Sequence, residues 1–318
     1  MTLFFGRKAR PNGRSEDVRI YPLATLTLQP PEQDAELAAR HAQTVICLSK
    51  LPPFHPAALK LLNIASDSDT AIDDFESIFK SDPALTADLL MVANSPLYGT
   101  RGSIGSIRQA LVHLGIDRVR SLGTTIALSF FVRNQPRTAF VRHIWAHSTA
   151  TATVAEVLGR LYRMPDLYTA GLVHDIGQLA LLTVYPQYEK ALASAGECEI
   201  SPMELERELF GLDHAEAGRW LLSEWNFPVE LQNVAARHEN PPEAPAEDGA
   251  LIRLVHGGSA MADLMGMSML ASPRCQDLSQ IAGVLPELSR DLTPQGFREL
   301  AETVAIKING VEQSLGLG

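Results

Sequence analysis

The chain has 318 residues, 46% apolar and 20% charged, the make-up of a folded globular protein, which excludes a disordered, collagen-like or coiled-coil chain. At roughly 150 residues per domain, the length suggests about two. The net charge of −10 excludes a general nucleic-acid binder, because neutralising many phosphates needs a basic face.

Residues 1–33 hold Gly6, Pro11, Gly13, Pro22, Pro30 and Pro31. They read as a flexible tail with one short extended piece near Val18 to Leu23. The tail is basic, with Arg7, Lys8, Arg10, Arg14 and Arg19 against Glu16 and Asp17. Such a run is ordinarily a solvated end and less often a contact arm. Helical patterning begins at Asp34 and breaks at Pro52, Pro53 and Pro56, which force extended backbone. Ile72, Phe75, Ile78 and Phe79 form an apolar helical stripe. Ser81 or Asp82 then caps a helix that has Pro83 in its first turn. Asn94 to Gly105 is a loop, and a helix follows from about Ser106 to His113. Gly115 ends that helix with a positive φ, and Asp117 caps the next, which runs towards Val132. Pro136, within 134–137, marks the boundary between subdomains 34–135 and 136–318.

Beyond it helices are expected near 138–163, 166–182, 186–195, 201–209, 213–225, 228–238, 248–266 and 293–308. The last has Thr293 as cap and Pro294 at its first position. Aromatics are only 6% while Ala and Leu recur, which favours helix because unbranched side chains keep their rotamer freedom there. Almost nothing alternates with period two, so the expected fold is all-α, in two helical lobes. Cys47, Cys198 and Cys275 are far apart with no CxxC, which points to a reducing compartment. No stretch reads as a signal peptide or reaches the ~20 apolar residues of a membrane span. The expected location is cytoplasmic.

Histidines and acids cluster in the second half: Trp145-Ala-His147-Ser148, Gly171-Leu-Val-His174-Asp175-Ile-Gly177-Gln178, Asp213-His214-Ala-Glu216 and Arg237-His238-Glu239. An ionised carboxylate in an apolar helix carries a large desolvation cost unless partnered. A cation is one partner, since His174, Asp175 and a third ligand such as His147 suit Zn, Fe or Mn. Backbone or a buried arginine is the other, and spacing alone favours this packing role.

Taken together these motifs resemble the HDOD family, relatives of the HD metal-dependent phosphohydrolases. In the first lobe the resemblance rests on Leu51-Pro52-Pro53, Ser81-Asp82-Pro83-Ala-Leu85, Ala93-Asn94-Ser95 and Ser106-Ile107-Arg108-Gln109-Ala110-Leu111. In the second it rests on the His147, His174-Asp175 and Asp213-His214 segments. It covers residues from about 44 to 242 and implies a two-lobed helical fold with an HD-like C-terminal lobe. It also implies a bacterial signalling role exercised through a protein partner.

The resemblance places His147, His174 and Asp175 on three positions of the HD metal site, and His214 and His238 on two further histidine positions of the HD-GYP type. The late aspartate of that site falls on Ser259, with His256 or Asp263 as substitutes on other helical faces. Gln178 stands where a lysine is expected and Arg237 where a histidine is, and the Gly-Tyr-Pro signature is absent. The pattern implies a degenerate pocket without catalytic residues and no required cofactor, able to hold a vestigial divalent metal on His147, His174 and Asp175. A nucleotide or cyclic-dinucleotide receptor is the alternative, and residual phosphodiesterase activity a third reading. Arg101, Arg108, Arg118 and Arg120 form a basic run in the first lobe. Arg101 and Arg108, with Arg237, are candidate contacts for a ligand or partner.

Overall fold

A computed structural model describes residues 30–65, 70–99, 103–162, 164, 167–198, 201–242, 249–268, 277–284 and 293–317. The basic tail up to residue 29, its extended piece, and Arg101 lie outside these. Among the described residues the fold is entirely helical, with no strand. The first half comprises α1 (Pro30–Leu48), α2 (Pro56–Ala65), α3 (Ile72–Ser81), α4 (Pro83–Ala93), a 3₁₀ turn at Pro96–Tyr98, α5 (Ile107–Leu114) and α6 (Ile116–Arg133). The second comprises α7 (Ala139–Tyr162), α8 (Leu167–Val173), α9 (Ile176–Val184), α10 (Tyr188–Cys198), α11 (Pro202–Phe210) and α12 (His214–Glu224). It continues with α13 (Val229–Arg237), α14 (Gly249–Ala262), a π turn at Asp263–Met267, α15 (Leu278–Val284) and α16 (Pro294–Leu315).

Local chemistry sets most helix ends. Asp82 Oδ1 accepts from Ala84 N at 2.8 Å and Leu85 N at 3.0 Å, and Thr293 Oγ1 accepts from Gly296 N at 3.1 Å, each satisfying an otherwise orphaned helix N–H. Gly115, at φ 76°, both ends α5 and opens α6. Asp117 is therefore not the cap expected of it; it sits in the first turn of α6, where its charge still complements the helix N-terminus. Helix α1 opens at Pro30, four residues before the expected start, because prolines in a first turn sacrifice no helical hydrogen bond.

Buried α6 is the spine of the first half, and Gly123 lets α2 approach: a Cβ there would meet Leu61 Cγ at 2.9 Å. In the second half α7 packs against α8, α14 and α16, and α9 against α12. Aromatic rings join the halves: Trp225 lies 4.9 Å from Phe54 and 5.0 Å from Phe131, centroid to centroid. The chain ends cross over. Helix α1 lies on α9, α11 and α12, while α16 lies on α4 and the Pro96–Tyr98 turn as well as on α7. One run among the described residues, Leu167–Val184, is long and apolar enough to cross a membrane, but it is buried inside this helical core.

Candidate metal centre

The expected single helix over 166–182 is two helices, α8 and α9, with His174 and Asp175 at the break. Successive residues of a continuous helix project about 100° apart. At the break Asp175 takes φ −103°, ψ 18°, and both side chains reach one point, with His174 Nε2 3.3 Å from Asp175 Oδ2.

Three further imidazoles arrive from three other helices, and each of the four is steered by its Nδ1. Nδ1–H of His147 donates to Met267 O at 2.9 Å, that of His174 to Gly171 O at 2.8 Å and that of His238 to Ala235 O at 2.9 Å. His214 Nδ1 is 2.7 Å from Glu206 Oε2, which also accepts from His214 N at 2.7 Å. Tyr188 OH donates to the other oxygen of Glu206. With Nδ1 engaged, Nε2 is the atom each ring presents to Asp175.

The carboxylate of Asp175 is shared. Its Oδ2 lies 3.6 Å from His147 Nε2 and its Oδ1 lies 3.0 Å from His238 Nε2 and 3.7 Å from His214 Nε2. Glu239 Oε1 closes the second group, 3.6 Å from His214 Nε2 and 3.5 Å from His238 Nε2. Two ligand sets result, one of His147, His174 and Asp175 and one of Asp175, His214, His238 and Glu239, each with its donor atoms within 4.8 Å of one another. The residues present fit a divalent ion. His174 Nε2, His214 Nε2, His238 Nε2 and Asp175 Oδ1 are all buried, and among the described residues they have only the close approaches within this cluster for partners, a costly arrangement unless something between them is positive. Imidazole with carboxylate suits Zn, Mn or Fe.

Without an ion, protons take that place. Burial opposes charge on His238, but Asp175 and Glu239 outweigh it and raise its pKa to about 9. Burial likewise opposes charge on His214, and Glu206 above all holds its pKa well above the ordinary value. Burial would raise the Asp175 carboxyl, yet His174 and His238 keep it well below the usual range. Raised histidine pKa values stabilise the metal-free fold fully below the unfolded value, and that contribution fades as pH rises through the folded one. An ion must displace these protons, so its affinity is expected to climb between about pH 6 and pH 9. Titration of chelator-treated protein with Mn²⁺ in weak buffer should release protons; uptake that is tighter at the acid end would contradict this.

The centre brings together His147, His174, Asp175, His214 and His238, with Ser259 and Asp263 against His147 and Arg108 and Arg237 elsewhere. Ser259, on α14, is buried with Oγ 3.1 Å from His147 Nε2. Neither proposed substitute replaces the missing aspartate: His256 Nδ1 is turned to His238 O at 2.6 Å, and Asp263 Oδ1 approaches His147 from its Nδ1 side at 3.5 Å. Gln178 is buried. Arg237 ends α13 exposed, and Arg108 pairs with Asp73 and Glu76 at 2.7 and 2.8 Å. Glu206 is not among the residues the sequence singles out, and Glu239 stands in the cluster there without a role. The signal for Glu206 is its place on the apolar stripe Met203–Glu206–Phe210, at helical spacing.

The HDOD domain model matches residues 51–241, more than half of the chain. The chain belongs to the HDOD family. An HDOD domain protein of unknown function from Geobacter sulfurreducens superposes with a TM-score of 0.72 at 22% identity, over 87% of this chain and 99% of its own. A candidate phosphohydrolase from Shewanella amazonensis gives 0.65 at 22% identity, over 87% and 97%. A candidate signal transduction protein from Marinobacter aquaeolei gives 0.68 at 21% identity, over 87% and 67%. At these identities the likeness is one of fold. An uncharacterized protein of Treponema pallidum is 25% identical over 228 residues, and this HDOD chain spans 44% of that relative's length.

Proposed function

We propose that this HDOD protein is a non-catalytic signalling protein that acts by contact with a protein partner and keeps its histidine centre as a closed metal site. Closure is the observation that carries the reading. His147, His174, Asp175, His214 and His238 are each no more than 2% exposed, and Glu239, at 18%, is the one ligand at the rim. Structural metal sites are closed, whereas catalytic ones keep a position open to substrate. His147, His174, Asp175, His214, His238 and Glu239 would hold the ion or ions. A bound ion would supply positive charge and, where a water could reach it, Lewis acidity. This chain's own residues steer the rings through Nδ1, exclude solvent and set neutral Ser259 3.1 Å from His147 Nε2, where the resemblance expects a ligand carboxylate. The fold likeness to a candidate signal transduction protein agrees with a regulatory role.

The test is metal analysis of the purified protein, with hydrolysis assays on cyclic dinucleotides and bis-p-nitrophenyl phosphate in Mn²⁺ or Fe²⁺. The expected result is bound ion and no turnover. Turnover that disappears in the His174→Ala, Asp175→Ala double variant would overturn the proposal.

A further inference from the structure

One arginine of the first lobe's basic run lines a cleft that shares no residue with the histidine centre. Arg118, on α6, makes no ion pair among the described residues and lines a cleft of about 550 Å³ between the Pro96–Tyr98 turn, α6, α7 and α16. That volume lies within the range of small-molecule sites, roughly 300–1,000 Å³. Arg160 of α7 and Lys307 of α16 line the same cleft, and the one carboxylate among the described residues that line it is Glu156. Both cations share it, Lys307 Nζ at 2.7 Å and Arg160 at 3.1 Å. Three cations thus face one anion in a chain whose net charge is −10. A local positive cleft of this kind concentrates anions against the field of the whole molecule.

The remaining walls have a second character. Leu97 and Ile306 are apolar, and Ile306 is 60% exposed. Tyr98 offers a ring and a hydroxyl that has no hydrogen-bond partner among the described residues. Burial raises the Tyr98 pKa to about 12, so the hydroxyl remains a donor. Lys307 is anchored behind the cleft lining: its Nζ sits 4.4 Å from the Tyr168 ring centroid, and Tyr168 OH is 2.6 Å from Thr125 Oγ1.

We propose that this cleft binds a small phosphate-bearing molecule, with Arg118, Arg160 and Lys307 on the phosphates and Tyr98, Leu97 and Ile306 against its less polar part. The walls come from segments far apart in sequence, so the ligand would tie α6 to α7 and α16. The concave shape favours a small molecule over an acidic peptide.

Calorimetric titration of the full chain with ATP, tripolyphosphate and a glutamate-rich peptide tests this, alongside the Arg118→Ala, Arg160→Ala double variant. Both arginines are exposed, and circular dichroism verifies the fold of the variant. Saturable binding of ATP or tripolyphosphate is expected, weakened at least tenfold in the double variant with metal content unchanged. ATP binding more tightly than tripolyphosphate identifies a nucleotide; equal binding identifies the polyphosphate group. No phosphate probe binding, binding undiminished in the variant, or binding by the peptide alone would each overturn the proposal.

Discussion

Asp175→Ala is expected to empty the centre. Both ligand sets contain this one carboxylate, so its loss removes a ligand from each at once. Wild-type protein should melt lower after chelation, because an ion that binds only the folded state stabilises it by about 4 kcal/mol at a thousand times its Kd. The variant should melt at one temperature with or without chelator and carry no metal. The metal-free variant should also be less stable than metal-free wild type, since His214 and His238 lose the anion that faces them. Breaking a buried pair by removing one partner typically costs about 3–5 kcal/mol. A variant that keeps its metal and its response to chelator would remove Asp175 from the centre.

Gly177→Ala is expected to destabilise the second half severely. A Cβ at Gly177 would stand 1.9 Å from His214 O and 2.6 Å from Gly218 N. Helices α9 and α12 therefore cross backbone on backbone, and no rotamer change can relieve the clash. Overpacking commonly costs about 1–3 kcal/mol, and a clash with backbone belongs at or above the top of that range. Separating the helices also withdraws His214 from Asp175, so metal content should fall along with the urea midpoint. Gly218→Ala is the control: its nearest neighbours stand at 3.3 and 3.4 Å, so a milder loss is expected. Equal effects in the two variants would sink this account of the crossing.

What could be read in the sequence was what is decided locally. The caps at Asp82 and Thr293 and the positive φ of Gly115 need only neighbouring residues, and the sequence announces them. The five centre residues were legible through their motif. The break between α8 and α9 was not, because apolar residues run on both sides of His174-Asp175 and the bend is decided by the partners that side chains meet across the core. Glu206 was overlooked for a related reason: a glutamate in a helix ordinarily faces water, and only the placement of His214 and Tyr188 makes it a buried acceptor. Helix α15 escaped notice because its seven residues, Leu278–Val284, are too few for a pattern to emerge.

The crossing over of the chain ends bears on how the protein is made. Thr44 of helix α1 donates to Phe210 O at 2.7 Å across a separation of 166 residues. At a synthesis rate of roughly 5–20 residues per second, its docking site emerges roughly 8–33 s after α1 itself. Through that interval α1 lacks the faces of α9, α11 and α12 on which it ends. Helix α1 is thus placed long after it is made, and its docking closes one of the longest loops among the described residues, the kind of contact that slows folding.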